Sequence, residues 1–189
     1  MATQTSIPQP ARLPESTELA PELVSVAEYV RTAYSPDCDY VDGEIQERNL
    51  GEQDHSRLQK KLIMYLGFRE SQWGVEVFPE QRVQVSPTRF RIPDVCVVVG
   101  EPDGKIFRKP PFLCIEVLSP EDRLSRVRDR VDDYLRMGVA YIWVLDPETK
   151  VAYQITPAEG WREVKSSSLK AEISATVTIE VPLSEIFSA

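Results

Sequence analysis

Two acids stand inside apolar runs that would normally exclude them. Asp94 lies in RIPDVCVVVG (91–100) and Glu116 in FLCIEVLSP (112–120). A carboxylate in a buried strand is costly unless it is paired or ligates a cation. Pro93 puts Asp94 at a strand entrance, since proline is tolerated at the start of a strand or at a bulge. Glu116 sits mid-run, between Ile115 and Val117. If the two strands are neighbours, both carboxylates converge on one point. Two carboxylates, water and a substrate phosphate are a normal ligand set for Mg2+. Such a metal lowers the pKa of water and neutralises charge on a phosphodiester. The alternative reading is purely structural: each acid pairs with a nearby arginine, and Arg89, Arg91, Arg123, Arg126, Arg128 and Arg130 are all available.

The elements that must hold these acids can be traced along the chain. SVAEYVRTAY (25–34) is an amphipathic helix that Ser25 can cap. Asp42-Gly43 between alternating residues predicts a hairpin. HSRLQKKLIMYLGFRE (55–70) sets Leu58, Leu62, Tyr65 and Leu66 on one helical face. WGVEVFPEQRVQVSP (73–87) alternates with period two and predicts one or two half-buried strands. The runs around Asp94 and Glu116 are nearly continuous in apolar residues, as in strands covered on both faces. EDRLSRVRDRVDDYLRMG (121–138) is a helix with a Leu124, Val127, Val131, Tyr134, Leu135 stripe, ended by Gly138. AYIWVLDPET (140–149) is a further buried strand. VAYQIT, WREVK and ATVTIEV read as an antiparallel set, and PLSEIF as a closing helical turn. Hairpins and one helical crossover together predict a mixed α/β (α+β) sheet flanked by helices.

Composition narrows the function. Residues 1–22 are rich in Pro, Ser, Thr and Gln and read as a flexible N-terminal arm, leaving 23–189 as a single domain. No apolar run reaches the roughly 20 residues that span a bilayer, and no signal-peptide pattern opens the chain, so the expected location is cytoplasmic. The dispersed Cys38, Cys96 and Cys114 look like buried thiols, and a lone histidine argues against a His-rich zinc site. A net charge of −8 restricts any nucleic-acid contact to a local basic patch. Arg82, Arg89, Arg91, Lys105, Arg108 and Lys109 are candidates for it. Trp73, Trp143 and Trp161 read as core or interface anchors, and the C-terminal strands as a surface that could bury a homodimer interface.

YVDGEI, HSRLQKKLIMYL, RIPDVCVVV, CIEVLSPEDRLSRV and YLRMGVAYIWVLDP resemble, in this order over about residues 25–155, the Uma-two family of restriction-endonuclease-like proteins. The resemblance implies the PD-(D/E)XK nuclease superfold with an αβββαβ-type core, a divalent metal (Mg2+ or Mn2+), and DNA as the partner. It implies that Asp94 and Glu116 are metal ligands, that Glu44 of DGE completes the site, and that His55 is a site residue at the head of the first core helix. The sequence departs from the superfold at one point. Leu118 stands where the signature lysine belongs. The family pattern carries that lysine on the following helix, four residues before the tyrosine, and here that position is Arg130. Arginine stays charged and offers a fork of donors, so it can clamp a phosphate but is a poor general base. The resemblance therefore implies either a metal-dependent endonuclease or a nuclease fold that has lost catalysis and binds nucleic acid or protein. Arg130 also has a structural alternative, an ion pair with Glu116, Asp94 or Asp133.

Overall fold

A computed structural model describes residues 23–48, 52–120 and 122–188. The arm expected at 1–22 lies outside these residues. The first helix, α1 (Val26–Arg31), begins where Ser25 accepts the Glu28 N–H at 3.2 Å. Strands β1 (Cys38–Val41) and β2 (Glu44–Glu47) form the expected hairpin, and Asp42 and Gly43 both take positive φ, the conformation such a two-residue turn requires. Helix α2 (Gln53–Gly67) buries Leu58, Leu62 and Leu66 but stops at Phe68; a separate turn, α3 (Glu70–Trp73), ends at the left-handed Gly74. The helix expected over 55–70 is thus broken in two.

The alternating run 73–87 divides between two sheets. Strand β3 (Val75–Pro79) edges one sheet and β4 (Val83–Ser86) edges another. The run around Asp94 divides in the same way, into β5 (Arg89–Arg91) and β6 (Val95–Val99), with Ile92-Pro93 at the break. Proline lacks the N–H a ladder needs, so it marks each crossing. The remaining core comprises β7 (Leu113–Val117), α4 (Leu124–Met137) capped by left-handed Gly138, and β8 (Tyr141–Asp146). Strand β7 runs parallel to β8 with α4 as the crossover. Then follow β9 (Val151–Thr156), β10 (Gly160–Glu163), β11 (Ser168–Glu172), β12 (Thr178–Pro182) and α5 (Leu183–Phe187).

Among the described residues, three sheets result. The largest has the order β10-β9-β8-β7-β6-β3; a second has β2-β1-β5-β4; β11 and β12 pair alone. The succession α2-β3-β6-β7-α4-β8 follows the αβββαβ order, and the mixed sheet is flanked by helices as expected. One face of the large sheet packs Val95, Val97, Leu113, Ile115, Trp143 and Leu145 against Leu58, Leu62 and Leu66 of α2. The other face packs Cys96, Cys114, Ile142 and Val144 against Val127, Val131 and Tyr134 of α4. Burial of two aliphatic faces is the main stabilising contribution, at about 25 cal/mol per Å2 of apolar surface removed from water. The C-terminal set differs from expectation. β12 pairs with β11, whose polar SLKAE sequence gives only a weak strand signal, while β10 pairs with β9.

Candidate active site

The register of β6 and β7 decides where the two acids meet. Val95 pairs with Ile115 and Cys96 with Cys114. One step further along this antiparallel ladder, Asp94 falls opposite Glu116. Alternation turns Asp94 to the side of Cys96 and Glu116 to the side of Cys114, so both acids face α4. Directly opposed side chains on one face have Cβ atoms about 4.5–5.5 Å apart. Both acids are 2% exposed. They border a cleft of about 220 Å3 whose walls include His55, Arg48, Arg126 and Arg130.

Each carboxylate has its own set of partners. Asp94 Oδ2 accepts the Val117 N–H at 2.7 Å and lies 3.3 Å from His55 Nε2, while Oδ1 is ion-paired with Arg48. Burial alone would raise the Asp94 pKa; His55, Arg48 and the Val117 N–H outweigh it and hold the group below its ordinary value. His55 moves the other way. Burial depresses it, but the bond to Asp94 wins and favours the imidazolium. Glu116 Oε1 accepts the Tyr134 hydroxyl at 2.6 Å. Arg130 Nε stands 2.9 Å from Glu116 Oε2, close enough for an ion pair, yet it is not aligned for a hydrogen bond and has no other acceptor among the described residues. Arg130 also reaches Asp122 Oδ1 at 3.3 Å.

The structure brings together Asp94, Glu116, Arg130 and His55. Glu44 is not among them. It is exposed at the turn end of β2 and does not line the cleft, whereas Gln46 and Glu47, further along the same strand, and Arg48 just beyond it, do. At about 3.3 Å per residue, Glu44 is on the order of 13 Å up the strand from Arg48. Of the basic patch expected at Arg82, Arg89, Arg91, Lys105, Arg108 and Lys109, the first three are already neutralised, by Asp37, by Asp42 with Asp133, and by Asp39 with Asp133. Leu118, at the signature lysine position, packs against the apolar cluster beside α4. Arg48 was missed by sequence reasoning. It follows an ordinary exposed hairpin, and only the tertiary fold brings it to Asp94.

Residues 26–184 match the model of a family described as "Uma2: Putative restriction endonuclease". The chain belongs to the Uma2 family. A solved structure described as "a putative nuclease belonging to DUF820 from Anabaena variabilis ATCC 29413" is similar, with a TM-score of 0.74 and 19% identity, over 87% of this Uma2 chain and 98% of that one. At this identity the likeness concerns the fold. No curated protein matches the chain.

The donor chemistry of this Uma2 cleft fits a hard divalent cation. Two carboxylates from adjacent strands open onto it, and oxygen is the ligand such ions select. Burial pushes the Glu116 carboxyl up from its ordinary 4.5 to about 7; Arg130, Arg48 and the Tyr134 hydroxyl oppose the rise and Asp94 adds to it. The protein's own cations thus leave Glu116 incompletely stabilised, and a further cation would relieve it. The fit is to two protein carboxylates with water and substrate completing the shell. Among the described residues, no group of three or more His, Cys, Asp or Glu is placed to hold a metal.

The same shift makes a pH prediction. Between pH 4.5 and about 7 the folded protein retains a proton on Glu116 that the unfolded chain has released, so this group's contribution to stability falls as pH rises through that window. Glu116→Gln removes the contribution. The stability of the variant relative to the parent is expected to increase across the window, read from denaturant melts at several pH values. A flat or decreasing difference would contradict the raised pKa.

Proposed function

We propose that the protein is a divalent-metal-dependent endonuclease that hydrolyses phosphodiester bonds of DNA, with Mg2+ or Mn2+ held by Asp94 and Glu116. The observation that carries this reading is the meeting of those two carboxylates, from neighbouring strands, in a cleft also lined by Arg48, Arg126, Arg130 and His55. The metal would supply Lewis acidity toward the phosphodiester and toward water. Arg130 is held charged by Glu116 and Asp122 and lines the cleft, which suits it to clamp a phosphate oxygen. His55, favoured as the imidazolium beside Asp94, adds a second positive group. Arg130 is not a proton acceptor. Tyr134 orients Glu116, and the Val117 N–H orients Asp94.

A non-catalytic nucleic-acid or protein-binding module is the second reading. Two observations favour it: both acids are already paired with protein cations, and Leu118 fills the lysine position. Incubation with supercoiled plasmid and with single-stranded DNA, in Mg2+, Mn2+ or EDTA, separates the two. Metal-dependent cutting that EDTA abolishes is expected. Linear product without accumulation of nicked circles would support a homodimer with two clefts; nicking alone would support one cleft acting singly. Arg130→Lys is expected to cut at least as fast as the parent, because lysine can also orient or deprotonate water. If neither protein cuts under any condition, the endonuclease reading fails and the binding module stands.

A further inference from the structure

Arg48 occupies a position that the proposed chemistry does not explain. Its guanidinium is ion-paired with Asp94 Oδ1 at the heart of the cleft, and it also feels Glu116. The other carboxylate oxygen is held by a backbone N–H, which the β7 ladder fixes in place, and by His55. Of the groups on Asp94, Arg48 is the one mounted on a long flexible stem, at the end of a hairpin strand, with a fifth of its side chain in contact with solvent. On Asp94, Oδ2 already meets two donors, and the remaining oxygen, Oδ1, is where Arg48 sits.

We propose that Arg48 is an internal counter-cation that competes with the divalent metal for Asp94 and thereby sets the metal affinity of the site. This rests on the reading of Asp94 as a metal ligand. Two opposed buried carboxylates repel each other, so a cation or a proton must neutralise them whenever the metal is away. Arg48 does so at Asp94 as Arg130 does at Glu116. The two arginines differ in their attachment. Arg130 is anchored on α4 between Glu116 and Asp122. Arg48 has no carboxylate partner besides Asp94 among the described ion pairs, so once displaced it is free to turn to an anion over the cleft. A residue that only supports the fold would weaken metal binding when removed. A competitor strengthens it. The sign of the effect separates the two roles.

The test is calorimetric titration of the whole chain with Mn2+ alone, without nucleic acid, for the parent, Arg48→Gln, Arg48→Lys and Asp94→Asn. Arg48→Gln is expected to bind Mn2+ about tenfold more tightly than the parent, since a buried charge that must be displaced has been removed. Arg48→Lys keeps the charge but loses the planar fork and is expected to gain about threefold. It carries the test if the glutamine variant does not fold. Asp94→Asn is expected to lose the binding heat, which places the signal at this site. Equal or weaker Mn2+ binding by the Arg48 variants, with Asp94→Asn inactive, overturns the competitor role and leaves the metal site standing. Absence of Mn2+ binding in all four proteins overturns both together.

Discussion

Asp94→Asn is expected to lower metal-dependent DNA cleavage by about a thousandfold or more while leaving a folded protein. The proposed metal stabilises charge in the transition state by several kcal/mol, and each 1.36 kcal/mol is a factor of ten in rate, so loss of a ligand from a two-carboxylate site reaches this range. Asparagine is the informative replacement. Asp94 Oδ2 accepts the buried Val117 N–H at 2.7 Å, and the asparagine carbonyl can still accept it. Asp94→Ala would strip that N–H of its partner, which costs about 1–3 kcal/mol, and would blur chemistry with folding. Both variants should be assayed on supercoiled plasmid with Mg2+ and with Mn2+, beside a thermal melt. Cleavage by Asp94→Asn within about tenfold of the parent, with an unchanged melt, would remove Asp94 from the site. Loss of cleavage with a melt that stays cooperative, lowered by the broken pairs to Arg48 and His55, is the outcome the geometry calls for.

The acids were legible in the sequence because their signals are local. A proline before Asp94 and an acid inside an apolar run at 116 are anomalies that any strand assignment must explain, and the antiparallel ladder then forces them together. The crossover α4 and its stripe were legible for the same reason: a sustained 3.6-residue period, closed by Gly138, outweighs its many charges. What local signals left open was set by how the chain parts between sheets. Whether Val83 continues the sheet of Val77 or joins another is decided by where the chain turns at Pro79–Glu80, where Glu80 takes positive φ. Strand β11 escaped because Ser168, Lys170 and Glu172 dilute its two apolar residues, and its partner β12 is what makes it a strand. Glu44 was assigned by resemblance, which matches residue types along the chain but not their distance along a strand. Arg48 carries no sequence anomaly at all. It reaches Asp94 only through the tertiary fold, with the small sheet held on α4.

The support beneath that small sheet yields the largest stability prediction. Arg91 of β5 is 3% exposed and sits between two buried acids. Its Nη1 donates to Asp39 Oδ2 of β1 at 3.0 Å, and its Nε donates to Asp133 Oδ2 of α4 at 2.8 Å. Asp39 also accepts the Ile92 N–H at 3.0 Å, and Asp133 receives Arg89 and Arg136 at its rim. This network joins the sheet that carries Arg48 to the helix that carries Arg130 and Tyr134. Arg91→Met would leave two carboxylates in the interior without the cation they share. Breaking a buried ion pair from one side costs about 3–5 kcal/mol, a large part of the 5–15 kcal/mol that holds an ordinary domain together. Urea unfolding is expected to show this as a lowered midpoint with an unchanged slope. Replacing the acids as well, as Arg91→Met with Asp39→Asn and Asp133→Leu, is expected to recover most of the loss. The side-chain carbonyl that Asp39→Asn retains can still accept the Ile92 N–H, and no charge then remains to be desolvated. A triple variant as unstable as Arg91→Met alone would mean that the directed bonds, and not the balance of charge, hold the small sheet on α4. Arg48 would then owe its place beside Asp94 to hydrogen-bond geometry; full recovery would mean that apolar packing alone can set the two sheets in register.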